Sequence, residues 1–190
     1  MALEDNELIK RVDTELNMKN DIKDIYQMSA DIFLKLENIN MVLENINMVM
    51  VYIVDTSSDQ AVIVSHKNVP DECLSRAAKI DRPRGITWKL ITTNDILNIK
   101  NSQTDDTIGP AGKALGKKGV YGVPIALSGG SKEARGVVWL WSDDEIVFDS
   151  DQHKLALYVA QKVGLAITWS ERYAERREEW KNKFKIGQQQ

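Results

Sequence analysis

The sequence predicts an α+β fold, an antiparallel sheet built from hairpins with helices packed on its faces. Three observations carry this reading. Two pairs of β-branched and aromatic runs, each pair joined by a short polar turn, read as two hairpins. An amphipathic stripe precedes the first hairpin, and a long proline-free helical pattern follows the second. Helix, hairpin, irregular middle, hairpin, long helix is an α+β order rather than an alternating α/β one.

The elements follow in chain order. Leu3, Leu8, Val12 and Leu16, scattered among charges, suggest a helical segment over residues 1–20. Ile22, Ile25, Met28, Ile32, Leu36 and Ile39 recur at three- and four-residue steps and predict a helix over residues 21–39. Residues 36–49 then repeat one heptad, LENINMV, without a change. The second copy runs into the strand MVMVYIVD and supplies its entry. The first keeps the helical stripe through Leu36, Ile39, Leu43 and Ile46, predicting a helix lengthened to about residue 45, by about 10.5 Å at 1.5 Å per residue. A looped-out insertion is the alternative.

The strand from Met48, the turn TSSDQ and the run AVIVSH form the first hairpin. VPDECLSRAAKI suits a short helix with Asp71 as its cap, and DRPRG breaks it. ITWKLITTNDILNIKN is a mixed segment, and TDDTIGPAGKALGKKG a loop with a turn or two of helix. VYGVPIAL and ARGVVWLWS, joined by SGGSKE, form the second hairpin. Asp149 and Gln152 have capping-box spacing, so each side chain can satisfy a backbone donor left free at the start of the last helix. Leu155, Val159, Lys162, Ala166, Trp169, Tyr173 and Trp180 continue that helix beyond the sheet-forming segments.

Composition excludes several classes of function. Hydrophobic residues make up 43% and charged residues 28% of the chain, as in a folded globular protein. A formal charge of -3 offers no general attraction to nucleic acid or anionic membrane. A single cysteine, Cys73, rules out an intramolecular disulfide framework and a cysteine-rich zinc site. The longest apolar run, MVMVYIV, is far too short to span a bilayer, and the N-terminus lacks the apolar core of a signal peptide. A cytoplasmic location is the expectation.

MVMVYIVD with AVIVSHKNVP, GVYGVPIAL, ARGVVWLWS and FDSDQHKLALYVAQKVGLAI, in this order and spacing, resemble the successive elements of a GAF domain over about residues 21–170. The resemblance implies a six-stranded antiparallel sheet with terminal helices on one face and a loop-covered ligand pocket on the other. It divides the chain into an N-terminal helical segment (1–20), the GAF domain (21–170) and a C-terminal helix extension (171–190). It also implies a regulatory role, in which a bound small molecule acts on an output through the terminal helices. Fold does not fix function, so the ligand has to be argued from particular residues.

Within that frame VMVY is similar to the first strand of bilin-binding GAF domains and directs Tyr52 to the pocket, but the expected attachment cysteine is missing from the middle segment. DECL, residues 71–74, resembles a second bilin-attachment motif only superficially, and Cys73 reads more simply as a small hydrophobe. Asn98 and Lys100 begin something like a cyclic-nucleotide signature that does not continue. GKALGKKG is one residue short of a phosphate loop and lacks its metal-binding hydroxyl, so it reads as a flexible basic loop. His66 and His153 have no second ligand set for a metal or haem. No cofactor is identified.

Trp139 and Trp141 share a strand face, Tyr121 lies on the preceding strand, and Trp88 falls where the family builds its pocket wall. With Tyr52 and the polar candidates Asp95 and Asn98, they form the expected ligand-binding set. The competing reading is core packing against the terminal helices, because parity says that Trp139 and Trp141 share a face but not which one. No catalytic elbow or metalloprotease pair occurs.

The expected function is a non-catalytic sensory module. It binds an unidentified small molecule, forms a homodimer through its N- and C-terminal helices, and acts on a downstream signalling protein or effector domain. A ligand-free structural dimer module is the alternative, and an enzyme of the methionine-sulfoxide-reductase type a distant one, since that chemistry recycles through a disulfide and needs two thiols. A membrane-lying tail through Trp180, Phe184 and Ile186 competes with dimerisation for the end of the last helix.

Overall fold

The computed structural model describes residues 7–17, 21–35, 45–126 and 132–187. In chain order the elements are α1 (Glu7–Asn17), α2 (Ile22–Lys35), β1 (Ile46–Asp55), β2 (Gln60–Lys67), α3 (Asp71–Ala77), β3 (Lys79–Asp81), α4 (Gly85–Thr93), β4 (Leu97–Ile99), α5 (Pro110–Lys113), β5 (Gly119–Pro124), β6 (Gly136–Ser142) and α6 (Ser150–Gly187). The strands form one six-stranded antiparallel sheet in the order β3-β2-β1-β6-β5-β4. Both expected hairpins are present, and β1 and β6 pair at the centre.

The centre of the sheet is buried on both faces, so β5 and β6 read as continuous apolar runs rather than alternating ones. One face carries Val49, Val51, Ile53, Tyr121, Val123, Val138 and Leu140. Against them pack Phe33 and Ile25 of α2 and Leu155, Val159, Val163 and Ile167 of α6, with Val12 and Leu16 of α1 joining the same cluster. Full burial of each such aliphatic side chain contributes roughly 1.5–3 kcal/mol, so this face carries much of the fold's stability. Polar ties fix its helices. Asp13 receives the Tyr158 hydroxyl at 3.0 Å and Lys162 Nζ at 2.9 Å, joining α1 to α6.

The other face carries Met48, Met50 and Tyr52 of β1, Val120 of β5, and Val137, Trp139 and Trp141 of β6. It is roofed by α3, α4 and the segment containing α5. Tryptophan parity is thereby resolved: Trp139 pairs with Met50 on one side and Gly122 on the other, and both indoles of β6 point away from α1, α2 and α6.

The capping box closes as expected at α6. Asp149 N–H donates to Gln152 Oε1 at 2.8 Å, and Gln152 N–H donates to Asp149 Oδ1 at 2.9 Å. At α3 the expected cap shifts by one residue. Pro70 occupies the N-cap position with no side-chain cap bond, and Asp71 is the first helical residue, where its charge favours the positive helix end. In the heptad repeat, Asn45 is a turn residue with φ 71° and Ile46–Val49 already belong to β1. The expected helix extension over 36–44 lies outside the described residues, as does most of the SGGSKE turn.

Candidate functional site

The roofed face is the candidate site, and its side chains are positioned from three directions. From the sheet, Tyr52 directs its hydroxyl to Ala77 O at 2.8 Å, at the end of α3. Burial, with the Cys73 side chain close by, pushes the Tyr52 phenol well above its ordinary range, so it stays a neutral donor. From the roof, Trp88 of α4 donates its indole N–H to Ile80 O at 2.8 Å. The Arg82 guanidinium lies over the Trp88 ring, 5.0 Å from its centroid, and pairs with Glu133 and Asp59.

From the sheet centre, Trp139 donates to Thr87 Oγ1 at 3.2 Å. Its ring lies across the neighbouring strand at Gly122, where a Cβ would stand 2.8 Å from Trp139 Cζ3 and 2.6 Å from Leu90 Cδ2. Glycine there lets α4 and the indole meet over the sheet. Trp141 stands beside Trp139, ring centroids 6.1 Å apart, with its tip against Gly112 of the α5 segment, where a Cβ would stand 3.3 Å from Trp141 Cη2. Trp141 is 4% exposed and its Nε1–H has no partner among the described residues.

The seven sequence-derived candidates are therefore divided. Tyr52, Trp88, Trp139 and Trp141 share the roofed face. Tyr121 lies on the helix-covered face, stacked on Phe148 at 4.2 Å with its hydroxyl 2.7 Å from His153 Nδ1. The reason is strand alternation: Gly122 faces Trp139, so its neighbour Tyr121 must face the other way. Asn98 also departs from the set. Its side chain donates to Phe148 O at 3.0 Å and accepts from Phe148 N–H at 3.2 Å, pinning the approach to α6, while Leu97 and Ile99 join the roofed face. Asp95 is exposed in the turn after α4, which Asn94 ends in a left-handed conformation at φ 58°.

The basic glycine-containing loop spends its amides internally. The N–H groups of Gly112, Lys113, Ala114, Leu115 and Gly116 all donate to carbonyls within residues 109–113. They leave no cradle of free donors for a phosphate, and Lys117 is paired with Asp143 at 2.7 Å. Among the described residues no group of three His, Cys, Asp or Glu side chains is placed to hold a metal ion. His66 is exposed, and no described helix is long and apolar enough to cross a membrane.

A connection that sequence reasoning missed lies just before β6. Glu133 pairs with Arg82 over Trp88, Ala134 N–H donates to Ile91 O of α4 at 2.8 Å, and Arg135 pairs with Glu171 of α6. Three consecutive residues thus tie the roof to the last helix around the edge of the fold. The middle link uses the backbone, which leaves no signature in residue type. Beyond the sheet, Leu165, Trp169, Tyr173 and Trp180 of α6 are exposed at 41%, 60%, 59% and 64%. The side chains of Phe184 and Ile186 lie outside the described residues.

No family model and no curated protein matches the sequence. Solved structures do match its fold. The GAF domain of an Acinetobacter phosphoenolpyruvate-protein phosphotransferase aligns with TM-score 0.71 and 11% identity, covering 90% of this chain and 97% of that one. The GAF domain of the corresponding protein from Coxiella burnetii aligns with TM-score 0.72 and 10% identity, covering 89% and 95%. The free methionine-R-sulfoxide reductase of Neisseria meningitidis, solved in complex with its substrate, aligns with TM-score 0.69 and 14% identity, covering 88% and 90%. The chain has the GAF fold, and at these identities the likeness concerns fold alone.

Proposed function

We propose that this GAF-fold chain is a cytoplasmic sensory module without catalytic activity, which binds a small molecule under its roof and acts through its terminal helices in a homodimer. The observation that carries this reading is the link through residues 133–135. It joins the tryptophan-lined roof face to α6, so a ligand that repositions α4 has a bonded route to the last helix. Tyr52, Trp88, Trp139 and Trp141 are the proposed lining. Trp169, Tyr173 and Trp180 give α6 an aromatic stripe for a second copy of the chain, and a signalling protein or effector domain is the proposed recipient.

Native mass spectrometry with an absorption spectrum of the purified protein tests ligand binding. A retained small molecule is expected, whereas an empty protein that binds nothing in a metabolite screen favours a ligand-free dimerisation module. The tight packing at Gly122 is the feature that supports this second reading. Sedimentation tests the dimer: the full chain is expected to be dimeric at micromolar concentration, and truncation after Ser170 to weaken it. The sulfoxide-reductase alternative is tested by incubation with free methionine sulfoxide and a thiol reductant. No turnover is expected, because Cys73 has no second thiol in the chain with which to close a disulfide.

A further inference from the structure

An indole carries one donor and no acceptor, so each buried tryptophan poses a single question of where its N–H goes. On the roofed face Trp88 donates to Ile80 O and Trp139 to Thr87 Oγ1. Trp141 donates to nothing among the described residues. Its neighbours explain why. Met48 and Val120 flank it across the two ladders and Gly112 lies over the ring tip, none with a side-chain acceptor; the buried Asn47 Oδ1 just before Met48 is itself without a partner among the described residues and does not accept from it. A buried donor without a partner is costly, and native proteins rarely leave one so.

The same surroundings restrict what can supply the acceptor. No charged residue is buried among the described ones, so no buried charge is available to balance an ion. Two of the cations beside the roof are paired at its rim: Arg82 with Asp59 and Glu133, and Lys117 with Asp143. An anion placed against Trp141 would lose its hydration without gaining a buried counter-charge, which a neutral acceptor avoids. The apolar flanks, Met48, Val120 and the Trp139 ring, suit a hydrocarbon or aromatic body.

Resting on the sensor reading of this face, we infer that Trp141 Nε1–H is the recognition donor of the site and that the ligand is an uncharged small molecule presenting a carbonyl-type oxygen to it. Trp88 and Trp139, their donors already used, contribute surface rather than polar recognition.

The test uses the full chain labelled with 15N at its tryptophan indoles and two probes of similar shape, neutral 2-pentanone and anionic butyrate, each at about 10 mM because so small a molecule binds weakly. The expected result is a downfield shift of the Trp141 Nε1–H signal with 2-pentanone and none with butyrate. Movement of the Trp88 or Trp139 signals with Trp141 unmoved overturns the inference and leaves the sensor reading standing. If no roof indole moves and native mass spectrometry finds no retained molecule, both fall. An equal response to butyrate overturns the requirement for a neutral ligand. A Trp141 signal that exchanges with water and ignores both probes assigns the donor to a structural water and also overturns the inference. Trp141→Phe assigns the signal; should that variant not fold, Phe substitution at the other four tryptophans assigns it by elimination.

Discussion

The two faces of the sheet are covered by different kinds of structure. On one, α2 and the first half of α6 lay aliphatic side chains over Val49, Val51, Val138 and Leu140, and the ties that hold them are closed, as at Asp13 with Tyr158 and Lys162. On the other, α3, α4 and α5 are short; α4 buries Trp88, Leu90 and Ile91 against the sheet, bonds from Tyr52 and Trp139 join it to α3 and α4, and one donor has no partner among the described residues. The first arrangement spreads stability over many interchangeable contacts. The second rests on three short helices, which we expect to rearrange without unfolding the rest.

Breaking the helix-covered face should have the largest effect. Phe33→Ala removes a fully buried ring from α2 and is expected to lower the unfolding free energy by about 3–5 kcal/mol, read from denaturant melts. Next is a contrast within the roofed face. Trp139→Phe and Trp141→Phe delete the same atoms, but the first breaks a bond to Thr87 while the second removes a donor that was unsatisfied. Trp141→Phe is therefore expected to be less destabilising than Trp139→Phe by about 1–3 kcal/mol. Equal losses would mean that Trp141 Nε1–H is already satisfied.

A smaller effect is expected where the two faces are joined. Glu171→Gln weakens the pair with Arg135, and since both side chains are partly exposed the loss of stability should be no more than about 1 kcal/mol. Its signature is local: the Ala134 amide, bonded to Ile91 O, should exchange faster while Val49–Val51 stay protected. The smallest effect lies in the β1–β2 turn. Hydrogen bonds from the Ser57 and Ser58 side chains and the Ser57 amide hold the Asp55 carboxyl down to about 2. A depressed folded-state value stabilises above the unfolded value, near 3.9, and that contribution is lost as the pH falls through about 2. Asp55→Asn should remove that contribution at neutral pH, with the difference from the parent chain shrinking through the window and vanishing below about pH 2.

Much of this architecture was legible in the residues. β1 and β6 stand out by β-branched and aromatic content, and the Asp149 and Gln152 spacing marked the start of α6 because a capping box depends on local geometry alone. β3 and β4 were not legible, since three-residue strands are too short to show a period. The site was only partly so. Alternation placed Trp139 and Trp141 together, but which face they share depends on pairing with Met50 and Gly122 across two other strands. Tyr121 lies on the strand preceding them, but its neighbour Gly122 faces Trp139, and the residue next to one that faces the tryptophans cannot face them too. The polarity of Asn98 suits a ligand contact, yet it serves the backbone of Phe148. The Ala134 link uses a main-chain donor, which no residue type announces.

Native-state hydrogen exchange along the whole chain tests the division between the faces most directly. The account predicts that the α4 amides, Trp88–Thr93, exchange through an opening of lower free energy than global unfolding, while β1 and residues 155–167 of α6 exchange only on unfolding. Equal protection free energies in α4, β1 and α6 would contradict it, because the roof would then be as much a part of the cooperative core as the helices opposite.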